Sequence, residues 1–240
     1  MHELQEKYES GIRELAETAV KCGALGFVAS HGGNLSMKNS DGTILITPTK
    51  VPKEEIVFDD IVVLDASGAI LFASPHRKPT GETPMHTLIY RLRPDLSSLI
   101  HAHPPILTGF AISGNEILSR PILPEPCIEL GPILSIPYAE PVSEKLAECF
   151  RSAAGKSNAW LMKNHGITIG CSGTPGRTLG LLRMAEAMAE SARTALQTGG
   201  VQEIPRPEVE NLSRVMTGRG LPVPGDPRRN KPLVSLYFKD

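Results

Sequence analysis

No run of apolar residues in the sequence approaches the roughly 20 that a membrane span requires, so there is no transmembrane helix to place. The polar, acidic start, MHELQEKYES, lacks the apolar stretch of a secretory signal. Neither sign of charge is in excess. The formal net charge is -1, and no overall field draws in nucleic acid or anionic lipid. CxxC pairs are absent. The four cysteines, Cys22, Cys127, Cys149 and Cys171, are widely spaced and read as small buried hydrophobes of a reduced, cytoplasmic protein rather than a disulfide framework. No P-loop and no GxGxxG occurs, so nucleotide binding has no support. No internal repeat or low-complexity segment is present either. What remains is an ordinary composition, 40% hydrophobic and 21% charged over 240 residues, long enough to bury a substantial core without staples.

Periodicity divides the chain into elements. Residues 2–22 read as an amphipathic helix, with Leu4, Tyr8, Ile12, Leu15 and Ala19 three or four residues apart and Gly23 as its stop. NLSMK and TILIT, joined by NSDG, read as a hairpin, and IVVLDASGAILFA as a second that turns at Ser67-Gly68. Thr83 is the expected N-cap and Pro84 the first residue of a helix with the apolar stripe Met85, Leu88, Ile89 and Leu92. SSLIHAH follows as a strand, ended by Pro104 and Pro105, which open a short helix through ILTGFAIS. Residues 120–142 hold seven prolines or glycines and read as irregular chain, apart from a strand at ILSIPY. SEKLAECFRSA reads as helix, AWLMKNHG and ITIG as adjacent strands joined at Asn164-His165-Gly166, and Pro175 to Gln197 as a long helix. Residues 201–240 contain six prolines and little periodicity; they read as an extended tail whose terminal LVSLYF docks as a strand. The sum is an α/β chain. One layered domain of about 200 residues, an antiparallel-rich sheet covered by helices, spans residues 1–200, and a Pro-rich tail spans 201–240.

LIHAHPPILTG, residues 99–109, poses the chemical question. Side chains alternate along a strand, so His101 and His103 share a face about 7 Å apart along the chain. That spacing lets two imidazoles converge on one divalent metal at about 2.1 Å each. It equally suits a pair of hydrogen-bonded, half-exposed histidines. His165, between Asn164 and Gly166 at a strand junction, would complete a three-histidine site with an open coordination position. Gly166 there allows tight packing or a positive φ. The other histidines carry less weight: His2 as solvated, His76 as a loop residue, His86 as core packing or support for a ligand, His31 as a loop residue beside a glycine pair. Glu82, in KPTGET, reads either as a solvent-facing carboxylate at a helix start or as a general acid/base beside a metal; local physics favours the first. Gly32, Gly33 and Asn34 offer donors to an anion, Thr47 and Thr49 hydroxyls, and Lys50 a charge, although such turns are mostly only turns.

Taken in order, GGNLSMK, ITPTK, KPTGETPMHTLIYRLRPD, IHAHPP, IPYAE and LMKNHGITIG resemble the class II aldolase/adducin-head family, and its sugar-phosphate aldolases in particular, over roughly residues 5–198. The resemblance implies a layered α/β/α single domain with a central, mostly antiparallel sheet. It implies one divalent metal per chain held by His101, His103 and His165: Zn2+ first, with Mn2+ or Co2+ as alternatives. Glu82 is then the catalytic acid/base, able to approach the metal when no substrate is present. Gly33, Asn34, Thr49, Lys50, Thr80 and Gly81 lie around the phosphate of a small phosphorylated sugar. A homotetramer with active sites at subunit borders is also implied. The implied activity is reversible cleavage of a ketose phosphate to dihydroxyacetone phosphate and an aldehyde through an enediolate. Tyr138 and Tyr237 are candidate proton donors to the aldehyde oxygen, with simple packing as the other reading. Alternatives are decarboxylation of a 3-keto sugar acid, epimerisation of a sugar phosphate, and a non-catalytic adducin-like binding module. Glutamate at position 82, where the epimerases carry aspartate, favours the aldolases, and the metal histidines argue against the binding module. Two departures matter: Lys50 stands where the family's phosphate loop usually ends in glycine, and Thr80-Gly81 where paired serines are common. They leave the bound anion open between phosphate and carboxylate.

Overall fold

The computed structural model describes residues 2–238. Eight strands form one sheet: β1 (Asn34–Lys38), β2 (Ile44–Ile46), β3 (Val62–Leu64), β4 (Ile70–Phe72), β5 (Ser98–Ala102), β6 (Leu134–Ile136), β7 (Ala159–Met162) and β8 (Gly166–Cys171). Their order is β4-β3-β2-β1-β5-β8-β7-β6. Every pairing is antiparallel except β6 with β7, so the antiparallel-rich sheet expected from the sequence is observed.

Strand alternation decides what each face carries. Leu35, Leu45, Val63, Ile100, Ile167 and Ile169 point to one face, where α2 (Glu9–Ala24), α4 (Pro105–Ser113) and α7 (Pro175–Thr198) cover them. Ile44, Ile46, Val62, Leu64, Leu99, Trp160 and Met162 point to the other, under α3 (Thr83–Leu92) and α6 (Glu144–Glu148). Both faces are buried except along the edge strand β4, which is why the inner strands read as near-continuous apolar runs. The buried polar exceptions on the α3 side are Asn34 and Ser36 of β1, His101 of β5 and Thr168 of β8. Asn34 and Thr168 are the cross-strand neighbours of His101. Three adjacent central strands therefore collect polar side chains in one place beneath α3.

Helix α3 is pinned at its C-terminal end by Arg93, which is buried. Its guanidinium makes a two-point contact with Asp95 (2.8 and 2.7 Å) and donates to Ala154 O, Ser157 O and Asn158 Oδ1. At the other end the expected cap is off by one residue. Glu82 occupies the N-cap, Thr83 is the first helical residue and Pro84 the second. The first helix is interrupted at Tyr8, giving α1 (Glu3–Lys7) and α2. The supposedly irregular 120–142 stretch contains a short helix, α5 (Pro124–Glu129), as well as β6, and α6 is shorter than its sequence suggested.

The largest correction concerns the tail. Residues 201–238 are not extended and no strand forms there; instead α8 (Arg206–Gly218) and α9 (Val234–Tyr237) fold back. Pro205 and Pro207 sit at the N-cap and in the first turn of α8, where a missing N–H costs nothing. Val209, Leu212 and Met216 share a face of α8 and form a small cluster with Leu233 and Ile128 of α5. The four cysteines are free, and all but the half-buried Cys149 are buried. Among the described residues no helix is long and apolar enough to cross a membrane.

Candidate metal centre and active site

The three histidines of the sequence reading converge. His101 lies on β5, fully buried on the α3 side. His103 is one residue past the strand, fastened by its backbone N–H to Phe27 O at 2.8 Å. His165 sits in the turn between β7 and β8. Ring centroids are 4.7 to 5.3 Å apart, and one ligand atom from each ring lies within 4.8 Å of the others. The open question over Gly166 resolves towards packing. A Cβ there would lie 2.4 Å from Ala102 O and 2.5 Å from His103 Cδ2, and the positive φ belongs to Asn164 instead (54°).

The donor set fits a divalent cation. Three nitrogens tetrahedral about an ion at about 2.1 Å lie ~3.4 Å apart; His101 Nε2 and His103 Nε2 are 3.0 Å apart. His101 Nδ1 is 3.0 Å from Ile167 O, a pure acceptor, so that nitrogen carries the ring proton and Nε2 faces the cluster as a bare lone pair. His165 Nδ1 is buried without a partner. Burial holds His101 well below the usual imidazole value, helped by its histidine neighbours. It also brings His103 down to about 4. His101 and His103 are therefore neutral, the form that ligates.

Glu82 is turned inward, against the expectation of a solvated helix-start carboxylate: it is 6% exposed. Its Oε2 lies 3.4 Å from His101 Nε2 and its Oε1 3.6 Å from His165 Nε2. Asn34 Nδ2 donates to Oε2 at 2.9 Å. A carboxylate thus sits beside the point on which the imidazoles converge, at the N-terminus of α3, where the helix dipole favours negative charge.

The loops proposed for the anion are brought together by backbone pairing. Thr49 N donates to Lys78 O at 3.0 Å and Thr80 N to Thr47 O at 3.1 Å, zipping residues 47–50 against 78–81. Gly33 adopts φ +62°, and a Cβ there would lie 2.8 Å from His101 O, so this glycine lets its loop press onto the histidine strand. Asn34, by contrast, has its amide on Glu82 and His86. Thr47 spends its hydroxyl accepting from Leu35 N. The two departures differ in structural terms. Lys50 is exposed and holds φ +60°, the left-handed region where glycine is at home. Lys50→Gly is expected to stabilise the fold by about 0.5–1 kcal/mol while raising KM for an anionic substrate; chemical denaturation and initial rates read the two effects separately. At Gly81 a Cβ would meet Val142 Cγ1 at 2.4 Å, so a serine has no room. Val142 itself holds φ +68°, a rare conformation for a β-branched residue.

Sequence reasoning missed Lys53. It is buried and its Nζ donates to His31 O (3.3 Å) and Val51 O (3.1 Å), tying the SHGG and PTK loops together; burial brings its ammonium down to about 8. A lysine three residues beyond Lys50 carries no sequence signal for this. Tyr138 is exposed, while Tyr237 is held in the tail cluster beside Cys127, where burial raises its hydroxyl well above 10.

Residues 13–195 match the family described as Class II Aldolase and Adducin N-terminal domain, which is most of the chain. The chain belongs to that family, whose aldolases depend on a divalent metal and act on phosphorylated sugars. It is similar to the 3-oxo-tetronate 4-phosphate decarboxylase of Haemophilus influenzae, with 28% identity over 78% of this chain and 88% of the relative. It is equally similar to the 5-deoxy-D-ribulose 1-phosphate aldolase of Bacillus thuringiensis, with 29% identity over 81% and 90%. A solved L-fuculose 1-phosphate aldolase superposes with a TM-score of 0.78 at 25% identity, covering 87% of this chain and 96% of that one.

Proposed function

We propose that this chain is a metal-dependent aldolase that reversibly cleaves a ketose phosphate to dihydroxyacetone phosphate and an aldehyde. The observation that carries the reading is the meeting of three imidazoles with one buried carboxylate, 3.4 Å from His101 and 3.6 Å from His165. His101, His103 and His165 hold the cation, zinc first among the divalent ions that such nitrogens take. When bound, it supplies Lewis-acid stabilisation of the charge that develops on the substrate's oxygens, worth several kcal/mol. Gly33, Thr49, Lys50, Thr80 and Gly81 receive the anionic end of the substrate, and Asn34 lies between that end and the carboxylate. Binding energy spent there orients the reacting end. As the C3–C4 bond breaks, its electron pair stays on C3 and the C4 hydroxyl releases its proton to solvent and becomes the aldehyde; Glu82 delivers a proton to C3, and in the synthetic direction removes it. The proposal includes a cytoplasmic homotetramer with active sites at subunit borders.

A second reading, decarboxylation of a 3-keto sugar acid phosphate, needs the same enediolate. Lys50 at the anion loop and the decarboxylase relative support it. A single assay separates the two. Purified protein carrying about one divalent metal per chain is offered L-fuculose 1-phosphate, 5-deoxy-D-ribulose 1-phosphate and 3-oxo-tetronate 4-phosphate. The aldolase reading requires dihydroxyacetone phosphate from a ketose phosphate, abolished by EDTA and restored by Zn2+. Carbon dioxide and dihydroxyacetone phosphate from the keto acid, with no dihydroxyacetone phosphate from either ketose phosphate, transfer the assignment to the decarboxylase.

A further inference from the structure

The acidic end of the site is attached to a line of buried polar side chains that the mechanism does not use. Asn34 Oδ1 lies 2.6 Å from His86 Nε2, His86 Nδ1 lies 2.7 Å from Ser36 Oγ, and Ser36 Oγ lies 2.9 Å from the Tyr90 hydroxyl, which is also 3.1 Å from Ser36 O. All four residues are buried. Strand alternation puts Asn34 and Ser36 on the same face of β1, and the helical repeat puts Glu82, His86 and Tyr90 four residues apart along the facing side of α3.

Hydrogen-bond roles along the line follow from one fixed point. A carboxylate only accepts, so the Asn34 NH2 faces Glu82 and its carbonyl oxygen faces His86. His86 must then donate from Nε2. Burial brings the ring down to about 4, so it is neutral and has one proton, and Nδ1 accepts from the Ser36 hydroxyl. Were the Asn34 amide to flip, its oxygen would stand 2.9 Å from a carboxylate oxygen. Plain packing does not call for this arrangement. The same helix face fills its other positions with Met85, Leu88 and Ile89, and each buried polar group costs about 1–3 kcal/mol if left unpaired.

We propose that His86 is a positioning residue: backed by Ser36 and Tyr90, it locks the Asn34 amide in the orientation that holds Glu82 Oε2 and leaves Oε1 as the oxygen that carries the proton to and from substrate. The proposal rests on the reading of Glu82 as the acid/base. A lock of this kind matters because a displacement of about 1 Å in a reacting group costs on the order of 100-fold in rate.

The experiment compares His86→Leu, His86→Gln and Ser36→Ala with the parent as metal-loaded full-length proteins. Each is measured for metal content, for kcat and KM with the ketose phosphate turned over in the assay above, and by crystal structure. His86→Gln keeps a donor to Asn34 and an acceptor for Ser36, and kcat stays within about threefold. In His86→Leu kcat falls by about 30-fold or more at unchanged KM and one metal per chain, and the Glu82 carboxylate leaves the Asn34 amide in the crystal structure. Ser36→Ala, the milder break, lowers kcat by about tenfold with the same displacement and serves alone if His86→Leu does not fold. A Glu82 carboxylate still on Asn34 in the folded variants, or a kcat within about twofold of the parent in both breaks, overturns the proposal. Loss of the underlying reading shows differently: Glu82→Gln would then be fully active, whatever the His86 variants do.

Discussion

Glu82→Gln lowers kcat by about 10²–10⁴-fold while metal content stays at one ion per chain and thermal stability changes little. The side chain is 6% exposed and accepts from Asn34 Nδ2, so a glutamine amide of the same shape can keep that contact through its carbonyl oxygen. It makes no demand on the three ring nitrogens, which reach their converging positions from β5, the residue after it, and the β7–β8 turn. What is lost is the proton. An amide neither accepts one from carbon nor delivers one to it at neutral pH, and among the described residues the carboxylate contacts to these histidines come from Glu82. Metal analysis, circular dichroism and steady-state rates on one preparation check all three parts. Full activity in the variant removes Glu82 from the chemistry. Loss of metal together with loss of activity makes it a ligand instead.

The inward turn of Glu82 was the least legible feature of the site. A carboxylate at the first turn of a helix normally stays in water and gains from the dipole, and nothing between Lys78 and Thr83 says otherwise. Only the partners explain it: Asn34 lies 48 positions upstream, and His101 and His165 lie 19 and 83 positions downstream. His101 and His103 were legible because strand alternation is a local rule. His165 was not, since joining it to them requires the β5–β8 pairing, and the family resemblance supplied that link. The fold class followed from hairpin turns and apolar periods. The tail misled because Pro205 and Pro207 count as helix breakers anywhere except where they stand, in the first turn of α8. Lys50 shows the converse: its φ of +60° explains why glycine is at home in that loop and leaves the lysine itself as the strained choice.

Gly166→Ala is expected to weaken metal binding by about 100-fold or more without replacing any ligand. The added methyl would lie 2.4 Å from Ala102 O and 2.5 Å from His103 Cδ2, and neither can yield cheaply. Ala102 is the last residue of β5, paired with Ile167 of β8, so moving its carbonyl breaks the register that aligns His101 with Thr168. The His103 ring must therefore swing away from His101, from which its Nε2 is now 3.0 Å. Losing one of three nitrogen ligands costs on the order of 100-fold or more in affinity, and the overpacked strand end costs about 1–3 kcal/mol of stability. Titration with Zn2+ and a thermal melt measure both. The parent supplies the contrast in pH. His103 is held down to about 4 by burial, so in the parent protons compete little for its lone pair at pH 5.5. In the variant the released ring is no longer a ligand, so affinity for Zn2+ falls below the parent's at pH 7 and at pH 5.5 alike. A variant that binds Zn2+ as tightly as the parent at both pH values would mean that the turn can absorb the methyl, and that Gly166 does not set the place of His103.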